Sequence, residues 1–98
     1  MESSPNYDEN IDTLEQKMAT TRTLAEALSG RHDLAGVLID QLVEISEEAE
    51  RFAVDAAVYG VRNHLMSRRN AADRLRMHSN TLQRVIDERA EHDSQETV

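Results

Sequence analysis

An apolar side chain recurs every three or four residues, without a break, from residue 35 to residue 59. The repeat consists of Ala35, Leu38, Leu42, Ile45, Ala49, Phe52, Ala56 and Tyr59. This spacing of 3.5 residues predicts a long helix that packs lengthwise against other helices. No proline interrupts the pattern as far as Leu65, so the predicted helix reaches roughly 45–50 Å at about 1.5 Å per residue.

A shorter repeat of the same kind precedes the long one. It consists of Ile11, Leu14, Met18, Thr21, Ala25 and Leu28. Ser29-Gly30 ends this first helix, because glycine accepts the left-handed backbone conformation that closes helices. Only residues 31–33 then separate the two helices, and so short a connection predicts an antiparallel helical hairpin over residues 10–66.

The two ends of the chain have the composition of unstructured segments. Residues 1–9 contain the only proline, Pro5, among serines, asparagine and acidic side chains. We expect them to form a disordered tip, and we expect residues 90–98 to form an acidic flexible tail.

The long helix is apolar on more than one side. Its further apolar residues spread over more than one stripe: Val37, Ile39, Val43, Phe52, Val54 and Val58. A helix that is apolar on two sides needs two partners. The first helix is one of these partners, and a second copy of the chain is the simplest candidate for the second partner. In the alternative, the C-terminal helices of the same chain fold back and cover that face. The expected dimer interface is Leu38, Leu42, Ile45, Ala49, Phe52 and Ala56.

Gly60 lies within the same predicted helix, where glycine costs about 1 kcal/mol relative to alanine. It either allows another helix to approach closely or marks a kink before the basic segment. The spacing of the apolar residues leaves both possibilities open.

The net charge of −8 is distributed unevenly along the chain. Residues 1–59 carry −9, residues 60–89 carry +4 with seven arginines, and the tail adds −3. The total charge excludes a globally basic surface of the kind that coats nucleic acid. The basic segment between acidic flanks predicts that different parts of this short chain have different functions. Arginines that merely decorate one solvated helix are the alternative.

Several functional classes lack the residues they need. There is no cysteine, the four histidines are scattered, and no glycine-rich phosphate loop occurs. We therefore expect no metal, no cofactor and no enzyme activity. No apolar run approaches the roughly 18 residues of a membrane span, and the N-terminus lacks a signal-peptide pattern, so we expect a cytoplasmic protein without membrane contact.

Residues 67–89 have the pattern of a helix-turn-helix. Ser67 is a suitable N-cap for a short helix over residues 70–75, and residues 76–78 form a tight connection. Ser79 is expected to cap a second helix over residues 80–89. The core between these helices is expected to contain two small alanines and five larger apolar residues: Ala71, Ala72, Leu75, Met77, Leu82, Val85 and Ile86.

This segment resembles the Fis-type helix-turn-helix family. The resemblance rests on Ala71, Ala72, Leu75, Met77, Thr81, Leu82, Arg84 and Ile86 and covers about 20 residues. It implies a short homodimeric DNA-binding protein with a dimerising helical hairpin first and the DNA-reading unit last. The family usually has glycine at the turn, whereas this chain has Arg76, which costs roughly 1 kcal/mol in the left-handed conformation.

The outward face of the second helix contains side chains suited to base reading. Asn80 and Gln83 suit adenine and Arg84 suits guanine in the major groove. The expected phosphate contacts come from hydroxyl and guanidinium groups around the turn: Arg68, Arg69, Arg76, Ser79 and Thr81. The prediction is a homodimeric transcriptional regulator, associated with the nucleoid, that binds double-stranded DNA.

A protein-interaction module is the competing class. In that case the acidic hairpin, chiefly residues 33–59, binds another regulatory protein, as an adaptor or as a phage- or plasmid-type antagonist of a host factor. The helix-turn-helix is then a packing device or a secondary contact.

Overall fold

The computed structural model describes residues 4–28 and 35–96, with side chains up to His92. Every regular element in these ranges is an α-helix: α1 (Tyr7–Ala27), α2 (Ala35–Arg62), α3 (Arg68–Leu75) and α4 (Ser79–Glu96). The prediction of an all-α fold is confirmed. The Ser29-Gly30 stop and the connection at 31–33 lie outside the described residues.

The chain divides into two compact units, and helix α2 contributes to both. The N-terminal unit comprises residues 6–52, and the C-terminal unit comprises residues 53–96 with Ser4 and Pro5. The boundary therefore falls inside α2, at 52/53. The hairpin domain predicted over 10–66 ends later than this boundary, because a continuous apolar repeat does not reveal where its packing partner changes.

Helix α1 begins earlier than the sequence pattern suggested. The side chain of Asn6 caps it by accepting a hydrogen bond of 3.0 Å from the backbone N–H of Glu9. Asp8 and Glu9 then place negative charge in the first turn, where the helix dipole favours it. Residues 7–9 are consequently helical, and the expected disordered tip was too long.

An ion pair and a shared groove connect α1 with the first half of α2 within the N-terminal unit. Lys17 Nζ lies 2.9 Å from Glu44 Oε1, and this hydrogen bond raises the pKa of Lys17 above its ordinary value. An open groove of about 400 Å³ is lined by both helices: Met18, Thr21, Arg22, Ala25, Leu38, Leu42 and Ile45. Later residues of α1 thus face earlier residues of α2, which is the order expected of an antiparallel pair.

The described part of the N-terminal unit has little interior. Among its described residues only Thr21 is buried, and its hydroxyl donates to the carbonyl oxygen of Lys17 at 2.8 Å. Large apolar side chains stay exposed on both helices: Tyr7, Ile11, Met18, Val37, Ile39, Leu42 and Val43. This unit therefore leaves apolar surface in water that a folded domain usually covers.

The end of α2 packs into the C-terminal unit. Ala57 and Val58 are buried there. Gly60 is also buried, and a Cβ at this position would lie 3.2 Å from Met66 Cε. Gly60 thus makes room for the Met66 side chain from the segment after α2, rather than for another helix. Beyond it, His64 takes a left-handed conformation with φ of 60°.

Helix α4 extends further than predicted at its C-terminal end. It begins at Ser79 and continues to Glu96, so residues 90–96 are helical rather than a flexible tail. An ion pair between Arg89 of α4 and Asp55 of α2 connects the two helices. The acidic composition of the last residues suggested a tail, but such residues are compatible with an exposed helix that is anchored one or two turns earlier.

Candidate nucleic-acid interface

Two small alanines allow α3 and α4 to pack closely. Ala71 and Ala72 are 1% and 0% exposed, and Leu82 of α4 is completely buried. Ile86 is buried in the same cluster, and the three remaining expected core residues pack against it: Leu75, Met77 and Val85. All seven residues expected between the two helices therefore lie in one core.

Sequence reasoning did not assign the α2 side of this core. Ala57 and Val58 belong to the buried cluster, and three partly buried side chains pack against it: Val54, Val61 and Met66. The pair α3–α4 is thus seated on the end of α2. Val54 and Val58, outside the main apolar stripe, carried a signal for this contact. The sequence pattern favoured a second copy of the chain as their partner and gave the C-terminal helices folding back as the alternative, and for these two residues it is the alternative that the structure shows.

The turn between α3 and α4 contains a left-handed arginine. Arg76 has φ of 59° and ψ of 42°. Its backbone N–H donates to Asp73 O at 3.1 Å, and that of Met77 donates to Ala72 O at 3.0 Å. This pair of bonds is the Schellman arrangement, which usually places glycine at the left-handed position. The Arg76 side chain is exposed, so the turn presents a guanidinium to solvent.

The two helices of the turn start differently from each other. Ser67 caps α3 as predicted, since its side chain accepts a hydrogen bond from Asn70 N at 3.0 Å. Ser79 was predicted to cap α4, but it is the first helical residue, and the first helical hydrogen bond runs from Leu82 N to His78 O. The backbone N–H groups of Ser79, Asn80 and Thr81 therefore lie at the positive end of α4.

Hydrogen bonds within the chain engage one of the three expected base-reading side chains. Asn80 and Arg84 are exposed, whereas Gln83 is half-buried. Arg68 Nη1 donates to Gln83 Oε1 at 2.8 Å, and Gln83 Nε2 donates to Asp87 Oδ1 at 2.8 Å. Arg68, which was expected to contact phosphate, is thus directed to Gln83.

Three other arginines around the turn are exposed and available. The side chains of Arg69, Arg76 and Arg84 make no hydrogen bond or ion pair with another residue in the described part of the chain. By contrast, Arg74 donates to Asn70 Oδ1 at 2.8 Å. Guanidinium groups without an internal partner can bind phosphate or base edges without first breaking a contact.

The expected dimer-interface residues have mixed environments. Leu42 is exposed, and the others are half-buried: Leu38, Ile45, Ala49, Phe52 and Ala56. Leu38, Leu42 and Ile45 line the groove shared with α1. More apolar surface is exposed beside these expected interface residues, since Ile39 and Val43 are 60% and 50% exposed.

The described residues contain neither a cluster of metal ligands nor a membrane-spanning helix. Within them no group of histidine, aspartate or glutamate is arranged to hold a metal ion. No described helix is both long and apolar enough to cross a membrane. Comparisons with protein-family models, curated proteins and solved structures find no match to this chain.

Proposed function

We propose that the protein is a homodimeric DNA-binding regulator that inserts α4 into the major groove. The observation that carries this proposal is the α3–turn–α4 unit. It is packed on Ala71, Ala72 and Leu82 and surrounded by the unpartnered arginines Arg69, Arg76 and Arg84. A two-helix unit of this kind presents the first turns of its second helix to base edges. The Fis-type resemblance supports the same proposal, and such a regulator acts in the cytoplasm, on the nucleoid.

Arg76 adds an argument from conformational strain. A left-handed L-residue is disfavoured by about 1–2 kcal/mol, and glycine avoids this cost. Because the Arg76 side chain is exposed, packing does not offset this cost. Strained residues cluster at ligand sites, and a guanidinium at the turn lies where a helix-turn-helix approaches the phosphate backbone.

The proposed base contacts use the exposed face of α4. Asn80 and Arg84 extend from its first two turns, and Gln83 lies between them along the chain. Asparagine and glutamine match the donor and acceptor groups of adenine, and arginine matches those of guanine. Ser79 and Thr81 add hydroxyls beside the helix N-terminus, where a phosphate is favoured.

Dimerisation is proposed because one copy carries too few cations for strong binding. Residues 6–52 contain 11 acidic and 4 basic side chains, so the N-terminal unit opposes the approach to DNA. Two copies on a pseudo-palindromic site double the phosphate contacts, with half-sites about 34 Å apart. The proposed dimer face is the patch of Ile39, Leu42 and Val43, which share one side of α2 at i, i+3 and i+4.

A titration of DNA tests the first half of the proposal. Fluorescence anisotropy with a pool of random duplexes at low salt should detect binding at micromolar protein. Arg84→Ala should weaken binding by about tenfold, the loss of one good contact. Arg22→Ala is the matched control, because it removes an exposed arginine from the N-terminal unit. No binding by the folded wild type, or equal effects of both variants, contradicts DNA binding.

Light scattering tests the dimer. Ile39→Asp combined with Val43→Asp should give the monomer mass, whereas the wild type should give the dimer mass. Leu65→Asp is the control, because Leu65 is an exposed apolar residue of the C-terminal unit. A monomeric wild type that also fails to bind DNA favours the second candidate, an interaction module whose exposed apolar and acidic α2 surface binds another protein.

A further inference from the structure

A chain of two hydrogen bonds holds the side-chain amide of Gln83. Its oxygen accepts a hydrogen bond from Arg68 Nη1, and its nitrogen donates one to Asp87 Oδ1, both with a length of 2.8 Å. Arg68 is the first residue of α3, and Asp87 lies one turn after Gln83 in α4. The contact therefore links the first turn of α3 to the outward face of α4.

The charges of the two neighbours select one orientation of the amide. A guanidinium only donates hydrogen bonds, and a carboxylate only accepts them. If the amide turned over, its NH₂ group would face the guanidinium and its oxygen would face the carboxylate. Both hydrogen bonds would be lost and both replaced by repulsion. Since both are charge-assisted, Gln83 has a single favourable orientation in this setting.

Gln83 keeps free hydrogen-bonding capacity in this orientation. An amide oxygen has two lone pairs and an amide nitrogen carries two hydrogens, so one of each is left after the contacts with Arg68 and Asp87. The major-groove edge of adenine offers one donor and one acceptor, N6–H and N7. A glutamine whose amide is already oriented loses less conformational freedom when it binds this edge.

We propose that Arg68 and Asp87 are positioning residues that hold Gln83 ready to read adenine, and that Arg68 acts through Gln83 rather than on a phosphate. The inference rests on the proposed function, since it concerns the specificity of the same site. It also gives Asp87 a role: this carboxylate at the DNA-facing surface is compensated by Arg68 through the shared glutamine.

Selection from random duplexes distinguishes positioning from phosphate contact. The wild type, Arg68→Met, Asp87→Asn and Gln83→Ala are each equilibrated with the same pool, and the bound fractions are sequenced. The sequences bound by the wild type should show a preference for adenine at one position. This preference should disappear in Gln83→Ala. Arg68→Met and Asp87→Asn should weaken the preference at that position by about tenfold, the discrimination of one bidentate contact. Arg68→Lys, which keeps a donor, should restore part of it.

Arg69→Met is the matched control for loss of charge. Arg69 is the neighbouring exposed arginine without a described partner. Its loss should weaken binding to all sequences equally and leave base preferences unchanged. If Arg68→Met behaves in the same way, Arg68 is a phosphate contact and the inference is wrong.

NMR of the free protein measures the network without DNA. The side-chain NH₂ signals of Gln83, identified by their loss in Gln83→Ala, should shift in both Arg68→Met and Asp87→Asn but not in Arg69→Met. Unshifted signals overturn the inference even if DNA binds. A wild type that binds no DNA overturns the proposed function and this inference together, whereas an adenine preference that survives Arg68→Met overturns the inference alone.

Discussion

Arg68 Nη1 and Gln83 Oε1 lie 2.8 Å apart, so the first residue of α3 is bonded directly to the outward face of α4. The two residues are 15 positions apart in the chain, and only the packing of α3 against α4 brings them together. That packing depends on Ala71 and Ala72, which are almost without exposed surface. The core and the proposed reading surface are therefore coupled through one pair of helices.

Truncation of Leu82 should strongly destabilise the C-terminal unit. Leu82 is completely buried, and replacing a buried leucine by alanine removes apolar burial and leaves a cavity. We expect Leu82→Ala to lower the free energy of unfolding by about 2–5 kcal/mol. Urea denaturation measures this change. Leu65→Ala, at a residue that is 68% exposed, should change the value by less than about 0.5 kcal/mol, and equal losses would contradict the core assignment.

Arg76→Gly should stabilise the fold and weaken DNA binding. Glycine relieves the left-handed backbone of Arg76 but has more freedom when unfolded, so we expect a gain of up to about 1 kcal/mol. Arg74→Gly, inside α3, should instead cost about 1 kcal/mol. Thermal unfolding of both variants measures the change in stability. Fluorescence anisotropy with DNA measures how much affinity is lost with the Arg76 guanidinium. A destabilised Arg76→Gly variant would refute the account of the turn.

The two described glycines of α2 should respond differently to alanine. A Cβ at Gly36 meets no atom within 4 Å, whereas one at Gly60 lies 3.2 Å from Met66 Cε. Alanine favours the helix by up to about 1 kcal/mol at either position, but at Gly60 the Met66 side chain must move. We expect Gly36→Ala to stabilise more than Gly60→Ala in urea denaturation. In a Met66→Ala background this difference should disappear.

Salt should act in opposite directions on the two proposed associations. Arginine–phosphate contacts release counterions, so DNA affinity should fall by at least about tenfold between roughly 50 and 200 mM salt. The dimer face lies in a unit with 11 acidic and 4 basic residues, and salt screens repulsion between two such copies. Sedimentation at increasing salt should therefore show a stronger dimer. A dimer that dissociates as salt rises would indicate an interface held by ion pairs instead.

Local patterns predicted the elements that depend on neighbouring residues. The 3.5-residue repeat predicted the long helix α2, and Ser67 predicted the start of α3. The ends were harder to place: Asn6 starts α1 at Tyr7, and α4 continues to Glu96. Polar, acidic stretches have the same composition in an exposed helix and in a tail, so only a cap or an anchoring contact distinguishes them.

The amino-acid sequence by itself determined that this chain is helical, which apolar residues form the core of the turn, and where positive charge concentrates. These properties follow from spacing and composition, which act over a few residues. Only the tertiary structure decided that Ala57 and Val58 complete that core, and that Gln83 is bonded to both Arg68 and Asp87. The reason is physical: a contact between residues far apart in the chain depends on how whole helices pack, and local spacing does not encode that packing.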